Sequence, residues 1–268
     1  MRSKRAMAAV LGLVAAVSVA TAAPGAAQGR DYQPFGADKA VERQQQDFQA
    51  NTTNGESFLE VNAAGNLVYW RRTADGYTFY SQVRGWGWGG TRIVSTLNAD
   101  TFVEVKGDGR LSKWTWDGYN YHEQVVGWGW QNARLLSGVS WDKFVEINQQ
   151  GNLVLWQFDA ANNLSSTTIG WGWGGTRLIT GLADLDFLEV KGNGLVSEWL
   201  DQGAGLEEFP LTGADFSTVR LMAGMDINHF LLIDGYDGSL WEATYNESDY
   251  TWYPVQRGWG WNGTRLIG

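Results

Sequence analysis

A tetrapeptide, Gly-Trp-Gly-Trp, recurs along this chain at an almost constant spacing, and the recurrence limits the possible folds more than any other feature. Its copies begin at Gly85, Gly127, Gly170 and Gly258 and hold half of the 16 tryptophans. The first two intervals are 42 and 43 residues, and a further 43 residues lead to Gly213, where the sequence reads GADF. We infer five repeat units of similar length, one of which has lost the motif.

The segments inside each unit follow one order. An arginine-containing segment such as TRIV comes directly after the tetrapeptide, and its arginines are Arg92, Arg134, Arg177, Arg220 and Arg265. A second segment such as FLEV begins at Phe58, Phe102, Phe144, Phe187 and Phe230. A glycine-containing turn leads to a third segment such as LVYW, and a looser fourth segment such as YSQV precedes the next tetrapeptide. Short segments rich in β-branched and aromatic residues, bounded by Gly, Asn or Asp, are typical of β-strands joined by hairpins.

Four strands per unit and a period in the low forties predict an all-β fold, a five-bladed β-propeller of four-stranded blades over residues 51–268. A helical repeat would space its apolar residues three and four apart, and these segments do not. The first unit starts near Phe58 without an arginine segment of its own, whereas the segment around Arg265 has no unit after it. We therefore expect the C-terminal strand to complete the first blade and close the ring.

The residues before this domain differ in character. Residues 1–27 combine a basic start, an apolar run and small residues near the end, which is typical of a secretory signal peptide and predicts a secreted protein. No other run reaches the ~18 apolar residues of a membrane-spanning helix, so no membrane insertion is expected. Residues 28–50 are polar and fit no repeat, and we interpret them as a leader or linker.

Composition excludes several classes of function. The net charge is −9, and removal of Arg2, Lys4 and Arg5 with the signal peptide brings it to −12. An acidic protein is a poor partner for nucleic acid and for anionic membranes. Cysteine is absent, which excludes zinc–thiolate sites and cysteine nucleophiles. The two histidines, His122 and His229, are far apart in sequence, and we expect no metal or other cofactor.

The damaged unit identifies residues that belong together. It keeps Arg220, but Leu232 and Ala243 stand where the other units have a glutamate and a third-strand tryptophan. The glutamates are Glu60, Glu104, Glu146 and Glu189, and the third-strand tryptophans are Trp70, Trp114, Trp156 and Trp199. Because the tetrapeptide, the glutamate and this tryptophan are lost together, we predict that they form one cluster in each of the other units.

The chain resembles the tachylectin-type five-bladed β-propeller lectins over roughly residues 51–268. The resemblance is carried by the repeated passage (I/V/R)-GWGW-xx-(T/A)-R-(I/L), by the five-fold count and by turns such as KGNG. The chain departs from the family in its richer tryptophan content, in the arginine of the first strand and in its degenerate unit. The resemblance implies binding of N-acetylated sugars, GlcNAc or GalNAc, in glycans, chitin or bacterial cell wall.

Two interpretations of the cluster remain open. In the first, aromatic faces pack against the C–H side of a sugar while a carboxylate accepts hydrogen bonds from its hydroxyl or amide groups. In the second, tryptophans fill the wedge between blades and the glutamate pairs with the repeated arginine, although Arg220 is retained opposite Leu232. The candidate carbohydrate-binding residues are Trp86, Trp88, Trp128, Trp130, Trp171, Trp173, Trp259, Trp261, Glu60, Glu104, Glu146 and Glu189.

Three classes of function follow from these alternatives. A lectin gains avidity from several equivalent sites on one rigid domain. A glycoside hydrolase needs two carboxyl groups in unlike environments. The equivalent glutamates do not provide them. No motif marks the unrepeated Asp184, Asp186 and Glu207 as catalytic residues. The third class is a protein-interaction scaffold whose tryptophans are all buried. We expect a lectin, with glycans as its partners and no catalytic residues.

Overall fold

The computed structural model of the protein describes residues 31–37 and 57–268. The predicted signal peptide, residues 1–27, and most of the predicted leader lie outside the described residues. Within the described part of the chain, no helix has the length and apolar character needed to cross a membrane.

The described residues form 21 β-strands. The first four are β1 (Phe35–Ala37), β2 (Ser57–Asn62), β3 (Leu67–Arg72) and β4 (Phe79–Gly85). The next four are β5 (Thr91–Asn98), β6 (Thr101–Lys106), β7 (Leu111–Trp116) and β8 (Tyr121–Gly127). They are followed by β9 (Ala133–Ser140), β10 (Lys143–Asn148), β11 (Asn152–Phe158) and β12 (Leu164–Trp171).

The C-terminal half continues the same series. Its strands are β13 (Thr176–Ala183), β14 (Asp186–Lys191), β15 (Val196–Asp201) and β16 (Leu206–Thr212). The last are β17 (Val219–Asp226), β18 (His229–Asp234), β19 (Leu240–Asn246), β20 (Thr251–Gly258) and β21 (Thr264–Ile267). Four short 3₁₀ turns join units at Trp88–Gly90, Trp130–Asn132, Trp173–Gly175 and Trp261–Gly263.

The strands are arranged in antiparallel units of four, which we letter A to E. Unit A has the order β21-β2-β3-β4, and units B and C contain β5 to β8 and β9 to β12. Units D and E contain β13 to β16 and β17 to β20, and β1 joins them into one nine-stranded sheet. The predicted closure is confirmed, because β21 pairs with β2 and places Glu60 opposite Ile267. This all-β arrangement is consistent with a β-propeller.

The first strand of each unit lies on the inside of a ring. Contacts run from β5 to β9, β13, β17 and β21 in turn, and β21 contacts β5 again. The approach is so close that a β-carbon on Gly138 would lie 2.0 Å from the carbonyl oxygen of Thr96, and one on Gly181 would lie 1.9 Å from that of Gly138. The space on the axis has a volume of only about 20 Å³, which is room for about one water molecule.

The hydrophobic core lies between neighbouring units, because each sheet buries apolar side chains on the faces turned towards its neighbours. One cluster of buried side chains, for example, combines residues of units A and B: Leu59, Val61, Leu67, Trp88, Val94 and Phe102. The inner pairs of strands are almost wholly buried, whereas fourth strands such as β4 and β8 are largely exposed. The grooves between units therefore open towards the outer strands.

The repeated arginine links each unit to the next one. Arg92 donates hydrogen bonds from Nη2 to the carbonyl oxygen of Ala133 at 2.8 Å and from Nη1 to that of Trp130 at 3.3 Å. The other four arginines bind the equivalent two carbonyl oxygens of the next unit, and Arg265 does so across the closure. We call this interaction the arginine clasp. The interpretation in which the glutamate pairs with this arginine is wrong, since the guanidinium binds backbone of the following unit.

Part of the predicted leader lies inside the fold. Residues 35–37 form β1, in which Gly36 pairs with Thr212 of β16 on one side and with Thr251 of β20 on the other. Tyr32 and Phe35 are buried in the core of units D and E. The prediction that residues 28–50 are a leader outside the repeat domain is therefore corrected for residues 31–37.

Candidate functional site

The two glycines of the Gly-Trp-Gly-Trp turn have different structural roles. A β-carbon on Gly85 would lie 2.5 Å from Nε1 of Trp88, so the first glycine leaves room for the indole of the second tryptophan. Gly87 has a φ of 85°, in the left-handed region that glycine adopts without strain. This residue turns the chain into the short 3₁₀ turn that opens with Trp88. The two tryptophans consequently point into different environments.

The first tryptophan of the motif is exposed and the second is buried. Trp86 retains 76% of its accessible surface, whereas Trp88 retains 8%. Trp128 and Trp171 are as exposed as Trp86, and Trp130 and Trp173 are as buried as Trp88. In the fourth copy, Trp259 and Trp261 are both half-buried. In the first three copies, the second tryptophan is therefore part of the packed wedge between units, while the first is accessible to solvent.

The predicted cluster forms around the second tryptophan. In unit B the ring centroids of Trp88 and Trp114 are 4.9 Å apart. Nε1 of Trp114 donates to Oε2 of Glu104 at 2.9 Å, and Oγ1 of Thr91 donates to Oε1 at 2.5 Å. The glutamate thus fixes the third-strand tryptophan and the start of the first strand, and each of its oxygens accepts one hydrogen bond from within the unit.

The same cluster recurs in three more units. Centroid distances of 4.7 Å separate the second tryptophan from the third-strand tryptophan in units A, C and D. Glu60, Glu146 and Glu189 accept hydrogen bonds from the third-strand tryptophan at 2.8, 2.9 and 3.0 Å. Thr264 and Thr176 also donate to their glutamates, while unit C has Ala133 at this position. The prediction from joint loss is confirmed for the second tryptophan, the glutamate and the third-strand tryptophan.

Burial affects the glutamates electrostatically. Loss of solvation raises the pKa of the Glu104 carboxyl above its usual value, and the hydrogen bonds from Thr91 and Trp114 oppose this increase. Burial likewise raises the pKa of Glu146, opposed by the hydrogen bond from Trp156. The carboxyl groups of Glu104 and Glu146 therefore accept hydrogen bonds inside the protein, although burial removes the solvation that favours their charged form.

Open pockets lie above these clusters, in the grooves between units. The pocket of groove A/B has a volume of about 600 Å³, and its lining includes Trp86, Trp88, Glu104, Trp114 and Tyr121. The pocket of groove C/D has a volume of about 440 Å³ and an equivalent lining, with Trp171, Trp173, Glu189 and Trp199. Both volumes are in the range of small-molecule sites. The predicted residues of these two grooves therefore converge on pockets.

The groove of the damaged unit, D/E, is filled by the chain itself. Phe216 occupies the position of the second tryptophan and is fully buried, while Ala214 occupies that of the first. The rings of Tyr32 and Phe35 pack edge-on against Phe216, with centroids 5.8 and 5.4 Å away. Oη of Tyr32 donates to Oδ2 of Asp234 at 2.6 Å. Residues 31–37, which we call the plug, thus occupy the space that is open in groove A/B.

Other candidates from the sequence do not converge on a site. Asp184 forms an ion pair with Lys143 at 2.7 Å, and Asp184, Asp186 and Glu207 line neither of the two groove pockets. Among the described residues, no group of three or more His, Asp or Glu side chains is arranged to hold a metal ion.

No protein-family model matches the sequence, and no curated protein matches it. Similar solved structures include yeast RCC1 (Prp20), with 10% identity and a TM-score of 0.39 over 68% of this chain and 52% of that one. The SapL1 lectin, in complex with α-methyl fucoside, has 13% identity and a TM-score of 0.45 over 76% of this chain and 81% of that one. Virginiamycin B lyase from Staphylococcus aureus has 9% identity and a TM-score of 0.37 over 84% and 73%. Because these TM-scores lie below 0.5, these likenesses carry no argument about the function of this chain.

Proposed function

We propose that this protein is a secreted lectin, a five-bladed β-propeller that binds sugars in the open grooves between neighbouring blades. One observation carries the proposal. Three exposed tryptophans, Trp86, Trp128 and Trp171, stand at equivalent positions of the repeat, and Trp86 and Trp171 line pockets that each contain a buried glutamate. Large exposed aromatic side chains that recur at equivalent positions require a cause other than folding, since folding favours their burial.

The chemistry of the groove suits a pyranose. The free face of Trp86 offers a flat apolar surface for the C–H side of a sugar ring, as aromatic platforms do in sugar sites. Glu104 lines the same pocket and retains lone pairs for a sugar hydroxyl or amide N–H. Trp88 and Trp114 form an apolar wall against which the methyl group of an N-acetyl substituent packs. Together with the tachylectin-type motif, these features favour N-acetylated sugars as ligands.

The arrangement favours binding over catalysis. A glycosidase requires one protonated and one ionised carboxyl group flanking the bond that breaks. In each complete unit, a single glutamate occupies the cluster, and it is held by the same tryptophan partner in all four. Repetition of such sites instead raises avidity for a dense glycan surface by ~10²–10⁴.

A glycan array tests the proposal. The array should compare the purified protein with a variant carrying Trp86→Ala, Trp128→Ala and Trp171→Ala. Trp141→Ala is the matched control, because Trp141 is 52% exposed but lies in the β9–β10 turn of unit C, where the other units have no tryptophan. We expect the triple variant to lose binding to immobilised chitin oligosaccharides by about 10²-fold or more, as loss of several sites removes avidity, and the control to bind normally.

Circular dichroism and intrinsic fluorescence should first show that each variant is folded. If the wild-type protein binds no glycan on the array, or if the triple variant binds as well as the wild type, sugar binding by the exposed tryptophans is refuted. Equal loss in the control would show a general surface effect rather than groove binding.

A further inference from the structure

The residue before each tetrapeptide differs between grooves. It is Arg84 in groove A/B, Val126 in groove B/C, Ile169 in groove C/D and Arg257 in groove E/A. Two grooves therefore have an aliphatic side chain at this position, and two have a cation. Since the surrounding cluster is the same, this position sets a chemical difference between otherwise equivalent sites.

Arg84 is held by two aromatic rings from different units. Its Cζ lies 3.4 Å from the ring centroid of Tyr69 in β3 and 4.2 Å from that of Trp116 in β7. Nη1 donates a long hydrogen bond of 3.4 Å to Oη of Tyr121. Stacking on aromatic faces fixes the plane of a guanidinium while it leaves the edge available for hydrogen bonds.

Among the described residues, no carboxylate neutralises Arg84, although the other cations near these grooves have partners. Arg257 donates to Glu242 at 2.7 Å, and Lys106, which lines the pocket of groove A/B with Arg84, donates to Glu123 at 2.6 Å. Nε of Arg84 is buried without a hydrogen-bond partner. A half-buried guanidinium in a ligand-sized pocket is thus left without a counter-charge, which is costly unless an anion joins it.

We propose that groove A/B binds a sugar that carries a carboxylate, such as a uronic acid residue, through Arg84, whereas groove C/D with Ile169 binds neutral sugars. This inference rests on the proposed sugar binding and adds the charge of the ligand. The planar guanidinium matches a carboxylate with two parallel hydrogen bonds. Its setting between Tyr69 and Trp116 places it beside the stacking surface of Trp86, in the same pocket.

Titration calorimetry with two probes tests the inference. A hyaluronan tetrasaccharide alternates N-acetylglucosamine with glucuronate, and its carboxyl-reduced form is the matched neutral probe. We expect the wild-type protein to bind the acidic form about tenfold more tightly at one site. Arg84→Ile should abolish this preference, so that the acidic and neutral forms bind with equal affinity, while Arg84→Lys should retain part of it, since a lysine keeps the charge without the fork.

The reciprocal change, Ile169→Arg, should raise the affinity of a second site for the acidic probe. If Arg84 has a purely structural role between the two rings, Arg84→Ile weakens the binding of both probes equally or of neither. Either result overturns the inference. Binding of the neutral probe without any preference for the acidic one also overturns it, while the proposed lectin function stands. Binding of neither probe, together with a silent glycan array, removes both proposals.

A chito-oligosaccharide sulfated at O6, which is an anion without a carboxylate, separates carboxylate recognition from attraction to any anion. If it gains as much affinity from Arg84 as the acidic probe does, the carboxylate assignment is wrong. We expect a smaller gain, and one that falls with added salt as an exposed charge interaction does.

Discussion

Groove A/B and groove D/E have the same backbone arrangement, but groove A/B holds an open pocket and groove D/E is filled by the chain itself. In groove A/B, Trp86 stands exposed above a pocket that reaches Glu104. In groove D/E, the corresponding residues are Ala214 and Leu232, and the plug fills the space. The arginine clasp is present in both, since Arg177 binds the carbonyl oxygens of Phe216 and Val219 as Arg265 binds those of Trp88 and Thr91.

This comparison separates the framework of the repeat from its binding surface. The clasp and the inner ring are kept wherever two units meet, and a large aromatic ring fills the wedge in both grooves. The exposed tryptophan, the glutamate and the third-strand tryptophan occur together at grooves A/B and C/D, which both hold a pocket, and their positions are changed in groove D/E. The exposed tryptophan, which folding does not require, is therefore the part of the motif that we assign to the ligand, while the glutamate both fixes its unit and lines the pocket.

The largest expected effect tests the wedge position in both grooves. Trp88→Ala and Phe216→Ala should each lower the free energy of unfolding by about 3–5 kcal/mol, because each removes a buried aromatic ring from a packed wedge. Trp86→Ala, in the same tetrapeptide as Trp88, should change it by less than about 0.5 kcal/mol, as an exposed side chain does. Urea unfolding of the three variants provides the measurement, and a comparable loss for Trp86→Ala would contradict the division of roles within the motif.

The next effect concerns the plug. Phe35→Ala should lower the free energy of unfolding by about 3 kcal/mol, since Phe35 is almost fully buried against Phe216. Hydrogen exchange should then increase in β16 and β20, the two strands that pair with β1. Gln33→Ala, at an exposed position of the same segment, is the control. Unchanged exchange in Phe35→Ala would mean that the plug does not hold groove D/E closed in solution.

A smaller effect tests whether the clasp is common to open and filled grooves. Arg92→Ala and Arg177→Ala should each cost about 2 kcal/mol of stability, because each removes two hydrogen bonds from a charged donor to backbone carbonyls and both side chains are partly exposed. The two losses should agree within about 0.5 kcal/mol in denaturant unfolding. A much larger loss at one of the two grooves would show that the clasp depends on what fills the groove.

The smallest expected effect is a pH dependence that arises from the buried glutamate of an open groove. Burial raises the pKa of Glu104 above its unfolded value, so its contribution to stability is fully present below the unfolded pKa and is lost as the pH rises through the folded pKa. Relative to Glu104→Gln, the wild-type protein should therefore lose stability, by about 1 kcal/mol or less, between pH 4 and pH 7. Groove D/E has Leu232 at the equivalent position, and leucine carries no ionisable group. A wild-type protein that gains stability over Glu104→Gln in this range would contradict the direction.

Sequence reasoning reached the arrangement of strands because the evidence for it is periodic. The pairing of β21 with β2 follows from a missing segment at one end and a surplus one at the other. The cluster of Trp88, Glu104 and Trp114 follows from joint loss in the damaged unit. Both inferences rest on comparing copies of the repeat within one chain. Such a comparison shows which residues belong to one group, but it does not show which way their side chains point.

The parts that could not be predicted depend on backbone conformation and on non-repeated residues. Nothing in the letters GWGW states that Trp86 points outward and Trp88 inward, since this follows from the left-handed φ of Gly87. The strand β1 was missed because three residues are too short for a pattern. Two features of the sequence did point to β1. Tyr32 and Phe35 are aromatic residues in an otherwise polar stretch, and the damaged unit lacks the tryptophans of the repeated motif.

The inner glycines have a consequence for the size of the assembly. Because a β-carbon on Gly138 would overlap the carbonyl oxygen of Thr96, and one on Gly181 that of Gly138, the inner strands stand at the shortest spacing that a backbone permits. That spacing fixes the circumference of the ring, and with it the angle through which each groove opens. A bulkier residue at Gly138 or Gly181 would push neighbouring inner strands apart, so glycines far from any groove help to set how wide the grooves are and how far apart they face.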